Sequence, residues 1–189
     1  MYTKYHTDAL VLGTYEIAEA DRAIVLYTRD FGLVRARAGG VRLERSKMRY
    51  ALQSYSYSRV SLVRGKNGWR AAGATSMRLL PVGAVTTSFA RVAQLASRLI
   101  AGEERSDYLF AALSDAHASL SQCASESVPT IEIMCVARVL YALGYISIEA
   151  METTLFSHTT YADVHVAEAR RAQDALLASI NKALNEAQL

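Results

Sequence analysis

Short apolar runs and segments of alternating apolar and polar residues occupy the first 76 residues, and both patterns predict β-strands. In the segment 33–39, small apolar residues fall on one face and Arg35 and Arg37 on the other. Turn signals separate the strand-like segments, and Asn67-Gly68 is typical of a hairpin turn. The predicted strands are 9–17, 23–29, 33–39, 53–65 and 69–76. Five short strands indicate a small antiparallel barrel, and both the five-stranded OB-fold and the SH3-like barrel agree with this pattern.

A helical period of apolar residues replaces the alternation after residue 77. The predicted helices are 86–102, 106–122, 129–145 and 165–189. The third is apolar nearly all round, so we expect it to be the buried helix of a bundle. A β half followed by an α half predicts an α+β protein of two domains, with a barrel in residues 1–80 and a helical bundle in residues 81–189.

Charge is divided unevenly between the two halves. Residues 1–80 contain 14 Lys or Arg and 6 Asp or Glu, a net charge of +8, whereas residues 81–189 carry a net charge of −5. Six of the fifteen residues from Arg35 to Arg49 are basic, and only Glu44 is acidic. Such clustering indicates a surface for a polyanion, although basic runs also occur as solvated loops.

The basic side chains are the candidate nucleic-acid contacts. Guanidinium and ammonium groups can follow a phosphate backbone and release its counterions. Gly39-Gly40 would let the main chain approach a ligand and offer N–H groups to it. The candidates are Arg35, Arg37, Arg42, Arg45, Lys47 and Arg49, with Arg59, Arg64 and Lys66 as weaker ones.

Tyrosine and serine alternate just before the hairpin, so Tyr55 and Tyr57 fall on one strand face. They could stack on bases, as aromatic residues do in single-strand binders. They could instead fill the barrel core. The small polar residues on the other strand face favour this second interpretation for Tyr55 and leave both interpretations open for Tyr57. Trp69 is expected to pack in the core or against the hairpin.

No motif of an enzyme is present: the chain lacks a G-x-S-x-G, a P-loop, a G-x-G-x-x-G and an H-E-x-x-H sequence. We therefore expect a protein without catalytic activity. His158, Asp163 and His165 would be the ligands of a metal-dependent hydrolase. An exposed polar loop is the favoured interpretation of these three residues, because no cysteine lies beside them.

The cellular compartment is predicted from the cysteines and from the N-terminal residues. Cys123 and Cys135 make neither a disulfide framework nor a zinc motif, so they are expected to be core thiols of a reducing cytoplasm. The N-terminus does not resemble a signal peptide, and no apolar run suits a bilayer. A soluble cytoplasmic protein without a membrane partner is expected.

Several blocks of the chain, in order, resemble the RecO family of bacterial recombination mediators. One block of this chain resembles the family's opening strands and basic loop: ALVLGTYEIAEADRAIVLYTRDFGLVRARAGGVR. A second block resembles the family's later strands: RSKMRYALQSYSYSRVSLVRGKNGWRAAGAT. ARVAQLASRLIAGEERSDYLFAALSDAHASL resembles its first two helices, with Leu109-Phe110 as the Leu-Phe pair. Leu143-Gly144-Tyr145 in VARVLYALGY resembles its Leu-Gly-Tyr helix end.

The resemblance implies an OB-fold followed by a helical domain, and a nucleoid-associated role in DNA repair without a cofactor. It implies binding of single- and double-stranded DNA, annealing of complementary strands, and help in loading RecA on strands coated with single-strand-binding protein. The implied protein partners are RecR and the C-terminal tail of single-strand-binding protein, with RecA as an indirect partner. The alternative is an OB-type RNA-binding or translation-associated adaptor.

The sequence departs from the family pattern at two places. Many members carry a four-cysteine zinc site just after the Leu-Gly-Tyr segment, whereas residues 146–165 here contain no cysteine. The helical domain is therefore expected to lack that site. The family's usual Lys-Gly in the basic loop is Gly39-Gly40 here.

Overall fold

Five β-strands close into a barrel in the N-terminal part of the chain. The computed structural model describes residues 3–147 and 154–187. The strands are β1 (Lys4–Glu16), β2 (Arg22–Thr28), β3 (Gly32–Ala38), β4 (Tyr57–Gly65) and β5 (Gly68–Arg78). Their order around the barrel is β1-β2-β3-β5-β4, with β3 and β5 parallel and the other pairs antiparallel. This is the OB-fold arrangement, so the predicted fold class is confirmed.

The barrel is filled by alternate side chains of its strands. Val34, Ala36 and Ala38 point inward from β3 and are buried, whereas Arg35 and Arg37 point outward and are exposed. The alternation in 33–39 therefore predicted both faces of this strand correctly. The inner cluster contains Ala9, Val11, Ile24, Leu26, Val34, Ala36, Ala38, Val41, Leu52, Val60, Leu62, Trp69 and Ala71.

Five α-helices follow: α1 (Ala84–Leu99), α2 (Asp107–Leu120), α3 (Val128–Ala142), α4 (Asp163–Arg171) and α5 (Gln173–Glu186). The segment 165–189 was predicted as one helix, but the described part of it is interrupted at Ala172, where ψ is 12°. Ala172 ends α4 and begins α5, and both helices bury apolar side chains in the cluster around α3.

The outer face of the barrel carries a second apolar row, and the helices cover it. Leu10, Tyr27 and Leu33 stand side by side on β1, β2 and β3 and are buried in one cluster with residues of α1, α2 and α3. The rings of Tyr27 and Phe110 stack with centroids 6.3 Å apart. Barrel and helices therefore share a hydrophobic core, and removing the helices would expose part of this row to water.

Gly32 permits the closest approach between the barrel and the helices. Its φ of 65° is left-handed, and a Cβ built there would lie 2.1 Å from the main-chain oxygen of Glu104. The amide of the next residue, Leu33, donates to the Gly102 carbonyl at 3.3 Å. A side chain at position 32 would push the turn between β2 and β3 away from the segment that joins α1 to α2.

Serines, not tyrosines, are the residues buried inside the barrel at the start of β4. Ser56 and Ser58 are buried, and both hydroxyls donate to the Ala51 carbonyl, at 2.8 Å and 2.6 Å. The small side chains leave room for the segment that precedes β4. Neither tyrosine belongs to the barrel cluster, so the barrel-core interpretation, which the sequence favoured for Tyr55 and left open for Tyr57, is wrong.

The two tyrosines lie instead at the junction with the helices. Tyr55 precedes β4 and has a left-handed φ of 68°, and its ring contacts Phe89 of α1 edge-on. Tyr57 begins β4, packs against Phe110, and lies under the Arg78 guanidinium, 4.7 Å from the ring centroid. Both rings are half-buried and pack against the helical cluster, and Tyr55 also lines a groove between β1 and α1.

Arg138 is buried in α3 with no carboxylate partner among the described residues. Its Nε donates to the Leu155 carbonyl and its Nη1 to the Thr159 carbonyl, each at 2.9 Å. The guanidinium lies over the Tyr161 ring, 4.4 Å from the centroid. Carbonyl dipoles and the ring face thus compensate the buried charge and hold the segment 154–161 against α3.

The remaining groups singled out in the sequence lie among the helices. Cys123 and Cys135 are free thiols, the first half-buried and the second buried. Within residues 3–147 and 154–187, no three His, Cys, Asp or Glu side chains are grouped so that they could hold a metal ion. The His158 and His165 rings lie 5.6 Å apart, centroid to centroid. None of the described helices has both the length and the apolar character needed to cross a bilayer.

His117 of α2 connects the barrel to the helices through both ring nitrogens. Arg78 Nε, which can only donate, lies 2.8 Å from Nδ1, and the Tyr55 carbonyl, which can only accept, lies 2.9 Å from Nε2. The imidazole is therefore neutral, with its proton on Nε2. Burial, together with the adjacent Arg78 charge, lowers the pKa of His117 to about 4.

Protein stability should consequently fall when the pH is lowered from 6.5 towards 4. Between those values the unfolded histidine is protonated while His117 in the folded protein stays neutral, so protons favour unfolding. The free energy of unfolding, measured by urea denaturation, should fall by roughly 3 kcal/mol at most over this window.

The variant His117→Gln should lose most of that pH dependence, since its side chain does not titrate. His6→Gln is the matched control for the substitution itself, because His6 is exposed on the barrel and lies outside the junction. Equal stability of the wild-type protein at the two ends of the window would contradict the assignment.

Candidate nucleic-acid interface

The basic segment between β3 and β4 is a folded cap on the barrel. Residues 39–56 form successive turns rather than a strand, so the predicted strand 53–65 begins four residues late, at Tyr57. Val41, Ala51 and Leu52 of this cap are buried, and Val41 and Leu52 lie in the barrel cluster. The cationic side chains between them are therefore attached to an ordered frame.

Asp21, in the turn between β1 and β2, fixes the start of the cap. Its Oδ1 accepts the Gly40 amide at 2.7 Å, and its Oδ2 accepts Arg37 Nη2 at 2.5 Å. These two partners, first the Gly40 N–H and then the Arg37 guanidinium, hold the pKa of Asp21 below its usual value. Gly40 turns the chain there with a φ of 63°, a conformation that suits glycine.

Four of the nine candidate cations are occupied by carboxylates. The ion pairs are Arg37–Asp21, Arg42–Glu16, Arg59–Asp8 and Arg64–Glu103, with N–O distances of 2.5 Å to 3.2 Å. Arg42 also donates to the Ala18 carbonyl at 3.2 Å and is only half-exposed. A phosphate would have to compete with these carboxylates, so the paired side chains are the weaker candidates.

The other five candidates are exposed and have no carboxylate partner in the described part of the chain. They are Arg35, Arg45, Lys47, Arg49 and Lys66. Three of them, Arg45, Lys47 and Arg49, belong to the cap, and the Glu44 carboxylate pairs with none of these three. Their role as phosphate contacts stays a prediction, and free charge makes them the strongest of the nine.

Arg70 on β5 is a cation that the sequence interpretation missed. It pairs in register with Arg37, because β3 and β5 run parallel at this point. Arg37, Arg70 and Lys66 line a groove of about 580 Å³ beside the β4–β5 hairpin, and no acidic side chain lines it. The sequence feature that could have revealed Arg70 is the expected inward position of Trp69, because strand alternation then directs Arg70 outward.

Trp69 forms the floor beneath this groove and is buried, as expected of a packing residue. Its indole N–H donates to Glu103 Oε1 at 2.8 Å, and its ring contacts Tyr5 and Phe31 at centroid distances of 5.6 Å and 5.3 Å. The Trp69 ring therefore packs at this end of the barrel and is not free to stack on a ligand.

The N-terminal part of the chain has recognisable relatives. Residues 1–71 match the family described as Recombination protein O N terminal. The barrel therefore resembles the N-terminal domain of the RecO family. Two proteins of Desulfitobacterium hafniense, strains DSM 10664 / DCB-2 and Y51, are each named DNA repair protein RecO. Each is 40% identical to the chain over 63 residues, which is 33% of this chain and 23% of the relative.

The likeness to RecO is concentrated where the cations lie. The matched residues 1–71 include β1 to β4, the basic cap and the beginning of β5, whereas α1 to α5 lie outside the match. The matched segment spans about a quarter of each relative's length. The resemblance expected from the sequence is thus confirmed for the RecO barrel.

Removing the Asp21 carboxylate should loosen the cap. In Asp21→Ala the Gly40 amide loses its acceptor and Arg37 loses its partner, so the turns after Gly40 should open more often. Hydrogen–deuterium exchange should become faster for the Gly40 amide and for residues 41–53. Glu19→Ala, an exposed residue of the same turn, is the control and should leave exchange in the cap unchanged. Unchanged protection in Asp21→Ala would contradict the anchoring role.

Proposed function

We propose that the chain is a non-enzymatic DNA-binding protein of recombinational DNA repair. The observation that carries the proposal is the set of exposed, unpaired cations on the ordered cap of a RecO barrel. In this proposal residues 1–80 bind DNA, single- or double-stranded, chiefly through phosphates. The barrel has few features that would read a base sequence, so binding is expected to be largely independent of sequence.

Neutralised phosphates would allow two complementary strands to approach and pair. Two phosphate backbones repel each other, and a protein that replaces their counterions with fixed cations lowers that repulsion. Strand annealing is therefore the activity that this surface supports best. It requires positioning and charge compensation, and no bond in DNA is made or broken.

Residues 81–189 are assigned to protein contacts in the same proposal. A groove of about 420 Å³ between the end of α1, the start of α2 and the end of α3 is lined mainly by apolar side chains such as Leu99, Leu143 and Tyr145. The apolar side chains suit an apolar peptide end, and the C-terminal tail of single-strand-binding protein is the proposed occupant. RecR as a partner, loading of RecA, and action in the cytoplasm at the nucleoid belong to this proposal through the family likeness.

Replacing Arg45, Lys47 and Arg49 with glutamine should weaken binding to every DNA sequence alike. Each lost phosphate contact removes a counterion release, so the plot of log affinity against log salt for single-stranded DNA should become shallower by about 2. Fluorescence anisotropy at several salt concentrations measures both quantities.

The matched control is the triple variant Arg91→Gln, Arg105→Gln, Lys182→Gln. It changes the net charge by the same amount, but these cations lie on the helical side and each pairs with a carboxylate. Its salt dependence should match that of the wild-type protein. Equal effects of the two triple variants would show that only net charge matters and would refute the cap as the contact surface.

An annealing assay on complementary strands coated with single-strand-binding protein tests the activity itself. The wild-type protein should accelerate pairing, and the cap variant should not. Competition with structured RNA in the same buffer separates the RNA-binding alternative. RNA that displaces the protein at lower concentration than single-stranded DNA would contradict the repair function.

A further inference from the structure

A second groove lies on the outer face of the barrel, where β1 meets α1. Its volume is about 520 Å³, and it is separate from the groove beside the hairpin and from the cations of the cap. Four parts of the chain contribute to it: the end of β1, the outward face of β3, the end of the cap and the C-terminal half of α1. The lining side chains used below are Tyr15, Arg35, Ser54, Gln94, Ser97 and Arg98.

A bulge in β1 places Tyr15 on this face. Val11 pairs with Leu26 of β2, but Val25 pairs with Gly13, so Leu12 is an extra residue in the strand. The bulge reverses which residues point outward after it. Tyr15 therefore lies on the same outer face as Leu10, although the two positions differ by an odd number.

The surroundings of Tyr15 leave its ring accessible. Across the sheet its neighbour is Ala23 and the next is Arg37, so a small side chain lies between the ring and the cations of β3. A Cβ built at Gly13 would lie 3.6 Å from the Tyr15 hydroxyl oxygen, which shows that the ring lies along the strand above this glycine. The residue is 60% exposed, which is unusual for a tyrosine beside a core.

The groove is positively charged and contains no carboxylate. Arg35 and Arg98 line it from β3 and from α1, and neither forms an ion pair within the described residues. No Asp or Glu side chain is among its lining residues. Gln94, Ser54 and Ser97 add uncharged hydrogen-bonding groups. An exposed aromatic ring and two free guanidinium groups line the same groove, and this combination suits a ligand with a flat ring and phosphate groups.

We propose that this groove binds one nucleotide of a single nucleic-acid strand. The base stacks on Tyr15, Arg35 and Arg98 bind the phosphates on its two sides, and Gln94 faces the edge of the base. The proposal rests on the DNA-binding function above and extends the binding surface from the barrel to α1. A duplex cannot use the Tyr15 contact, because its bases are already stacked and paired.

Two variants separate stacking from charge. Tyr15→Ala should lower the affinity for oligothymidylate by roughly five- to a hundredfold, whereas affinity for an abasic deoxyribose-phosphate oligomer and for duplex DNA should not change. Tyr15→Phe keeps the ring and should bind like the wild-type protein. Fluorescence anisotropy at one fixed salt concentration measures all of these affinities.

The structure supplies a matched control for each contact. Tyr50 is 66% exposed in the basic cap and lies outside the groove, so Tyr50→Ala should have a much smaller effect than Tyr15→Ala. For the arginine, Arg98→Gln should weaken binding of oligothymidylate and of the abasic oligomer alike. Arg91→Gln, on the same helix but paired with Glu132, should weaken neither.

Photocrosslinking provides a readout that does not depend on affinity. An oligonucleotide that contains 4-thiothymidine should crosslink to the peptide that carries Tyr15. Crosslinks confined to the cap, or equal losses in Tyr15→Ala and Tyr50→Ala, would overturn the proposal. So would a loss for Tyr15→Ala that is equally large with the abasic oligomer, because the residue would then act through the fold.

The two hypotheses fail in different ways. If the wild-type protein binds neither oligothymidylate nor duplex DNA, the DNA-binding function itself is wrong. If the wild-type protein binds both and Tyr15→Ala binds like it, only the nucleotide groove is wrong.

Discussion

The apolar row on the outside of the barrel is the constraint on which the rest of the structure depends. Leu10, Tyr27 and Leu33 face away from the barrel core, so the barrel would expose a hydrophobic patch if it stood alone. The helices cover this row, and in doing so they occupy the part of the β2–β3 face on which OB-folds commonly bind oligonucleotides. Further along β3, on the same strand face as Leu33, the outer surface of the barrel stays exposed at Arg35 and Arg37.

The covered row also determines where polar groups must be satisfied. Arg78 and His117 meet inside the junction, and they form mutual and main-chain hydrogen bonds in place of those to water. Arg138 holds the segment 154–161 with two hydrogen bonds to carbonyl groups and with the Tyr161 ring, while its buried Nη2 has no hydrogen-bond partner among the described residues. Arg78 and His117 thus help to attach the helices to the barrel, and Arg138 attaches the segment 154–161 to α3. Arg45, Lys47 and Arg49 of the cap, in contrast, stay exposed.

Local patterning predicted the elements, and long-range contacts determined where the sequence predictions failed. The five strands follow from apolar runs, alternation and turn signals, and the outward positions of Arg35 and Arg37 follow from alternation; all of these are properties of neighbouring residues. Tyr55 and Tyr57 were misplaced because the helices that cover them come later in the chain. The ion pairs of Arg37 and Arg64 depend on Asp21 and Glu103, distant in sequence, so no local rule could separate occupied cations from free ones. Alternation from Trp69 could have shown that Arg70 points outward, but its position beside Arg37 depends on the β3–β5 register.

The proposed sites divide the work of holding a strand in a way that suits pairing. The cap would hold phosphates through Arg45, Lys47 and Arg49, which leaves the hydrogen-bonding edges of the bases free. In the groove at Tyr15 only this ring is largely exposed, since Tyr55 is half-buried, so the groove would withdraw about one base at a time from pairing. A strand held mainly through its backbone stays available to its complement, whereas a row of stacking rings would compete with base pairing. The scarcity of aromatic contacts is therefore consistent with annealing, not with simple protection of single strands.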